Sequence, residues 1–232
     1  RAAAIEPPAT SEQVAGSGLN LGANASLQGA IETAAERTGM PPAALAAIID
    51  AEAAKGTDGR WNSLSRNPRS SAAGLGQFLS GTWTELAQQT GTWLNGTAAR
   101  RGWLNAEGRV KAECRAELLA LRYDPRASIE ATADYARANV DRLRARSVHI
   151  GTGEQELARA AYLAHHLGPA DAVRFLKNAI PEERASLLLA AQVGSSSAAR
   201  RIASAGNDAT SAHRHWLNNY VDRRVRADRF TV

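Results

Sequence analysis

The hydrophobic rhythm of the chain changes at about Ser26. Residues 1–25 carry no periodic apolar spacing. Pro7-Pro8 and scattered Ser, Gly and Asn make them read as a linker. From there Leu27, Ile31, Ala34 and Ala35 recur every three or four residues, the spacing of one helix face. Gly39 is placed to end that helix. Pro41-Pro42 open the next, because a first turn leaves the missing N–H unneeded. In this second helix Leu45, Ile48, Ile49, Glu52 and Ala53 fall along one stripe, and Gly56 and Gly59 stop it. Residues 56–76, rich in Gly, Ser, Asn and Arg, read as a loop. Thr82-Trp83 starts another helix, with Glu85 placed for a capping box on Thr82. The segment 91–108 is looser.

Helical stretches follow at about 109–122, 127–146, 154–167 and 170–178, punctuated by Pro125, Gly151, Gly153, Gly168 and Pro169. Pro181 opens a further helix to about Gln192; 194–197 and 203–211 read as breaks. The tail, 211–229, reads as an Arg-rich helix carrying Trp216 and Tyr220. Alternating strand patterns are nearly absent, so the expected fold is all-α. Three units are expected: a linker at 1–25, a helical domain at 26–180, and a C-terminal helical segment at 181–232, within the same domain or apart from it.

Composition fits this picture. A chain of 232 residues can bury a core without staples. It is 44% hydrophobic, much of that alanine, and only 5% aromatic, which favours close-packed helices. No run approaches the ~20 apolar residues of a membrane span. The single cysteine, Cys114, rules out an intrachain disulfide and a multi-thiolate zinc site. Amid Ala112, Ala116 and Leu118 it reads as a small core or boundary residue. The only methionine is Met40 and the chain begins at Arg1, so a processed piece lacking an export signal or N-terminal module is expected. The net charge is +5. Three of the 28 basic residues are lysine, so 25 are arginine. Such a surface suits a polyanion: nucleic acid, anionic lipid or an acidic cell-wall polymer.

Candidate chemistry begins at Glu52, whose neighbours at i−3 and i−4 are Ile49 and Ile48. That places a carboxyl on or beside the buried stripe, near a helix C-terminus. Burial and the negative end of the helix dipole both raise a carboxyl pKa, which suits a general acid. Taken alone, the residue reads as a boundary Glu with a packed stem and a solvated head. The segment 65–83 changes that. Its small residues let backbone approach a ligand closely. Gln77 offers a donor and an acceptor, and Phe78 and Trp83 offer flat faces suited to sugar rings.

Four blocks now stand in order. They are Ala51-Glu52-Ala53; Ser71-Ala72-Ala73-Gly74-Leu75-Gly76-Gln77-Phe78 with the Thr-Trp start; Tyr123-Asp124-Pro125-Arg126-Ala127-Ser128-Ile129 with Tyr135 beyond; and Ala161-Tyr162-Leu163-Ala164-His165-His166-Leu167-Gly168. Gln77 lies 25 residues after Glu52, and Tyr162 lies 85 after Gln77. In these blocks, over roughly residues 35–180, the chain resembles the lytic transglycosylases of the soluble-transglycosylase type, relatives of goose-type lysozyme. It departs from their pattern at Ala53 (often Ser), Gly76 (Met) and Leu163 (Asn), and is similar to a Tyr-Leu-Ala-His variant of proteobacteria and their phages.

The resemblance implies a lysozyme-like helical domain acting on peptidoglycan glycan strands. It implies cleavage of the β-1,4 bond between N-acetylmuramic acid and N-acetylglucosamine, with Glu52 as acid and then base, giving a 1,6-anhydro product. It implies substrate contacts from Ser71, Gly74, Gln77, Phe78, Tyr162 and His165, no cofactor, no metal, and a periplasmic or extracellular monomer of bacterial or phage origin. The alternatives are a muramidase hydrolysing the same bond, such as a phage endolysin, and an inactive glycan-binding or phage structural module.

Other residues carry two readings each. Asp50 lies about 200° around the helix from Glu52 and faces elsewhere. Asp58, in the following loop, is a candidate second carboxylate or an Asx-turn residue. Tyr162 and His165, at i and i+3, share a helix face; His165 binds sugar, supports Tyr162 or is a core histidine. His165, His166, His213 and His215 lack metal-ligand spacing. Trp61, Trp93 and Trp103 read as loop anchors rather than sugar platforms. Arg214, Arg223, Arg224, Arg226 and Arg229 read as a solvated face suited to anionic envelope polymers rather than nucleic acid.

Overall fold

A computed structural model describes residues 18–232; the first 17 residues of the expected linker lie outside the described residues. Eleven α-helices form among the described residues, with isolated β-bridges and no sheet. They are α1 (Gln28–Thr38), α2 (Pro42–Glu52), α3 (Ser80–Gln88), α4 (Trp93–Arg100), α5 (Arg115–Ala120), α6 (Pro125–Ala145), α7 (Glu154–Leu167), α8 (Pro169–Leu176), α9 (Glu182–Val193), α10 (Ser195–Ser204) and α11 (Ala209–Arg224). The fold is all-α, and no described helix is long and apolar enough to cross a membrane.

The centre is α2. Every residue from Ala43 to Ile49 is buried, and Ala51 with them. A helix apolar all round belongs inside. Its alanines let α1, α6, α7, α11 and the short turn Ala227–Arg229 pack against it. The longest helix, α6, starts where the sequence suggests: Asp124 accepts a hydrogen bond from the Ala127 N–H (2.7 Å), and Pro125 occupies the first turn. A second, smaller core gathers Phe78, Trp83, Leu86, Leu94, Trp103 and Leu118 beneath the loop that follows α2. Trp83 is fully buried there, its indole N–H donating to the Leu118 carbonyl (2.8 Å), so it offers no face to a sugar. Cys114 is half-buried against this core.

Some elements differ from the periodicity. α4 forms inside the stretch read as loose, because Thr92 caps it (Asn95 N–H to Oγ1, 3.0 Å) and Leu94 and Ala98 bury. No capping box forms at Thr82: α3 starts at Ser80, so Thr82 lies inside the helix. α5 is only the last part of the helix expected at 109–122. α10 begins directly after Gly194, where a break was expected, since this glycine turns the chain at φ 82. The tail helix ends at Arg224 rather than 229.

Residues 18–25 are not a linker. Leu19 and Leu21 are buried, and the Asn20 N–H donates to the Phe230 carbonyl (2.8 Å). Asn24, also buried, accepts from the Trp61 N–H (2.8 Å). The C-terminal segment joins the main core: Ala185, Leu217, Val221, Ala227 and Phe230 belong to the cluster that surrounds α2. Phe230 meets Trp61 edge-on at 6.2 Å.

Candidate functional site

Glu52 is the last residue of α2; at Ala53 the chain leaves helical geometry (ψ 135). The carboxyl faces a cleft with four walls. Ile48 comes from α2, Gly76 and Phe78 from the loop, Thr132, Tyr135 and Ala136 from α6, and Ala161 and His165 from α7. Glu52 is the only carboxyl among these lining residues. Its side chain is 16% exposed. Burial pushes its pKa from 4.5 up to about 7, against the opposing pull of the Arg224 charge. The free volume of the cleft is about 10 Å³, room for one water molecule at most.

His165 faces Glu52, its Nε2 3.6 Å from Oε1, too far for a hydrogen bond. Burial lowers its pKa to about 4, so it is neutral near neutral pH and the contact is no ion pair. Its ring stands edge-on to Phe78 (6.0 Å) and Tyr135 (5.4 Å). Phe78 is 1% exposed. It is therefore a wall of the cleft, fixed by Trp83 and Tyr135, and presents no open face for stacking.

The glycine-rich loop is shaped from within. Gly74 sits at φ 76, and a Cβ there would collide with the Arg122 carbonyl. The Gly76 N–H donates to Ser128 Oγ (3.1 Å). A Cβ on Gly76 would fall 2.6 Å from both Phe78 and Thr132 Oγ1. Phe78 and Thr132 thus leave no room for a side chain at position 76. Gln77, at φ 46, turns its amide back onto Ser65 Oγ (3.0 Å) and the Gly74 carbonyl (2.8 Å). Ser71 accepts from the Ser80 N–H (3.1 Å) at the start of α3. Ser71, Gly74 and Gln77 therefore build the loop and do not line the cleft.

Tyr162 and His165 diverge despite their spacing. His165 lines the cleft, while Tyr162 lies behind, 2% exposed, hydrogen-bonded to Tyr220 and stacked on His166 at 5.8 Å. Burial, and next the Glu52 charge, raise the Tyr162 pKa. Helix α11 supplies residues that spacing did not reveal. Arg224 donates to the Ala51 carbonyl (2.5 Å) and lies over the Tyr220 ring at 5.3 Å. Thr132 and Ala136 are likewise unmarked in sequence. No short-range pattern could have announced them, because helix packing alone brings α6 and α11 here.

Neither aspartate enters. Asp50 accepts from the Trp61 indole (2.9 Å) and pairs with Lys55 (3.1 Å). Asp58 is 60% exposed and closes an Asx turn onto the Arg60 N–H (3.0 Å). Trp61 and Trp103 are buried as anchors. Among the described residues, no group of three or more His, Cys, Asp or Glu side chains is placed to hold a metal. Of the tail arginines, Arg214 donates to the Phe175 carbonyl (2.8 Å) and Arg226 pairs with Asp228 (2.5 Å), while Arg223, Arg224 and Arg229 are exposed. Compared with protein-family models and with curated proteins, the chain finds no match.

Proposed function

We propose that the protein is a peptidoglycan lytic transglycosylase, with Glu52 cleaving the β-1,4 bond between N-acetylmuramic acid and N-acetylglucosamine. The observation that carries this reading is the solitary carboxyl. Glycosidases that use two carboxylates set the second about 5–9.5 Å from the first. Among the described residues no second carboxyl lines the cleft, and Asp50 and Asp58 are engaged elsewhere. This supports a reading in which one group does both proton steps. Glu52 gives its proton to the glycosidic oxygen as the C1–O bond breaks. Its carboxylate next takes the proton of the C6 hydroxyl as O6 bonds to C1. Glu52 ends protonated, the ring closes as a 1,6-anhydro sugar, and no water is consumed. A pKa of about 7 leaves acid and carboxylate both well populated at neutral pH, which suits a group with both tasks. Neutral His165 adds no competing charge.

A sugar ring needs far more than about 10 Å³, so binding must part the walls formed by Phe78, Tyr135 and His165. On this reading the protein works on the cell-wall side of the envelope, and exposed arginines such as Arg223 and Arg229 favour its anionic polymers. Digestion of purified sacculi, followed by mass spectrometry, tests the reaction. The parent should release 1,6-anhydro products, and Glu52→Gln should be slower by on the order of 10²–10⁴-fold. Free reducing muramic acid ends would mean hydrolysis instead. Equal clearing by parent and Glu52→Gln would leave Glu52 without the role.

A further inference from the structure

The acid step creates a problem that the cleft walls do not solve. When Glu52 gives up its proton it becomes a carboxylate among Ile48, Phe78, Ala136 and Ala161, where a bare charge is costly. The groups facing it from the cleft walls and from α11 can be named. α7 brings His165 and, behind it, Tyr162; α6 brings Tyr135; the loop brings Gly76 and Phe78, neither charged. α11 brings Arg224, with Tyr220 behind it on Tyr162. Of these only Arg224 is a cation at neutral pH, since His165 titrates at about 4. Its guanidinium has no acidic partner among the described ion pairs. Although Arg224 is exposed, its guanidinium reaches the Ala51 carbonyl (2.5 Å), one residue before Glu52, and lies over the Tyr220 ring. Such a carbonyl at a helix end is an unpaired acceptor that a fixed cation satisfies well.

We infer that Arg224 is the positioning residue for Glu52: it clamps the last turn of α2 to α11 and is the cation against which the Glu52 carboxylate forms. The inference rests on the proposed activity for its purpose, but its geometry does not. Arg224 does not line the cleft, so it acts through Glu52 and not on the sugar. It makes the acid readier to release its proton, because an opposite charge nearby favours the ionised form. It also makes the C-terminal segment a working part of the site.

Titration of Glu52 by carboxyl-carbon NMR tests this without any activity, the resonance being assigned from Glu52→Gln. Arg224→Gln should move the Glu52 midpoint upward, because the opposing charge is lost. Arg224→Lys, which keeps the charge, should leave the midpoint near that of the parent. With sacculi as substrate, Arg224→Gln should lower kcat, leave KM unchanged and move the alkaline limb of the kcat profile upward. An unmoved midpoint in a folded Arg224→Gln protein overturns the inference. Should that variant not fold, Arg224→Met keeps the apolar stem over Tyr220 and carries the same readout. Failure of both to fold assigns Arg224 a purely structural role and also overturns the inference. Loss of the proposed activity is a separate outcome: wall clearing by Glu52→Gln would remove it, while the NMR midpoint would still report on Arg224.

Discussion

Glu52 should make the protein less stable as pH rises, and Glu52→Gln should remove that loss. A carboxyl with a pKa of 4.5 in the unfolded chain and about 7 when folded binds its proton more tightly in the native state. Between these values the native state holds more protons than the unfolded one, so stability falls as pH rises, then levels off above 7. Each pH unit of difference is worth about 1.36 kcal/mol, so the whole penalty is about 3 kcal/mol. At 16% exposed, Glu52 is buried enough for little of that to be lost to solvent screening. The amide of Gln is neutral at every pH and nearly the same shape. At pH 4 the two proteins should be about equally stable. At pH 8 Glu52→Gln should be the more stable by about 3 kcal/mol, or roughly 6–12 °C in Tm for a domain of this size. Urea unfolding of both proteins from pH 4 to 8.5 measures the difference directly. The histidines His165, His166 and His213, each lowered to about 4, act in the opposite direction, since their stabilisation is lost as pH falls below 6.5. They are present in both proteins and cancel in the difference. A stability difference that does not grow between pH 4.5 and 7 would refute the reasoning, and with it a Glu52 held protonated by burial.

Two further substitutions test the scaffold. Arg37 of α1 pairs with Glu130 (2.8 Å) and Asp134 (2.6 Å) of α6, and the Glu130 side chain is only 2% exposed. Arg37→Met strands a buried carboxylate and should cost about 3–5 kcal/mol in urea unfolding, part of it recovered by adding Glu130→Gln. Gly74→Ala should cost more than about 2 kcal/mol by the same measurement, because left-handed strain adds to a collision with backbone that no rotamer relieves.

The sequence carried α2 and Glu52 in full view. A proline start, a continuous apolar run and the glycines after it are local signals that place Glu52 at the end of the helix, while the burial of its carboxyl is settled by the packing of α6 and α7 around it. The same holds for α7, flanked by Gly153 and Gly168. Phe78 and Trp83 were misleading because an aromatic beside a glycine-rich loop fits either a core or a sugar platform. Only the position of α5, whose Leu118 receives the Trp83 indole, decides between them. Gln77 was misleading for a similar reason: its left-handed backbone turns the amide inward. Arg224 was visible only as one of several tail arginines. What singles it out is contact across 173 residues of sequence, which no spacing rule records.

The two ends of the described chain run antiparallel, with Leu19 bridged to Thr231. Val232 donates to the Gly18 carbonyl (2.7 Å) at the outer edge, and Asn20 to the Phe230 carbonyl (2.8 Å) further in. Tension applied between residues 18 and 232 would therefore load these bonds one after the other, as in a zipper, and never side by side as in shear. The outer bond would yield first, then the inner one, and then Phe230 would lift from Trp61. The next element along the chain is the Ala227–Arg229 turn on α2, and after it Arg224. Pulling on the C-terminal side of this seam thus leads along the chain to Arg224, whose guanidinium holds the Ala51 carbonyl at the end of α2.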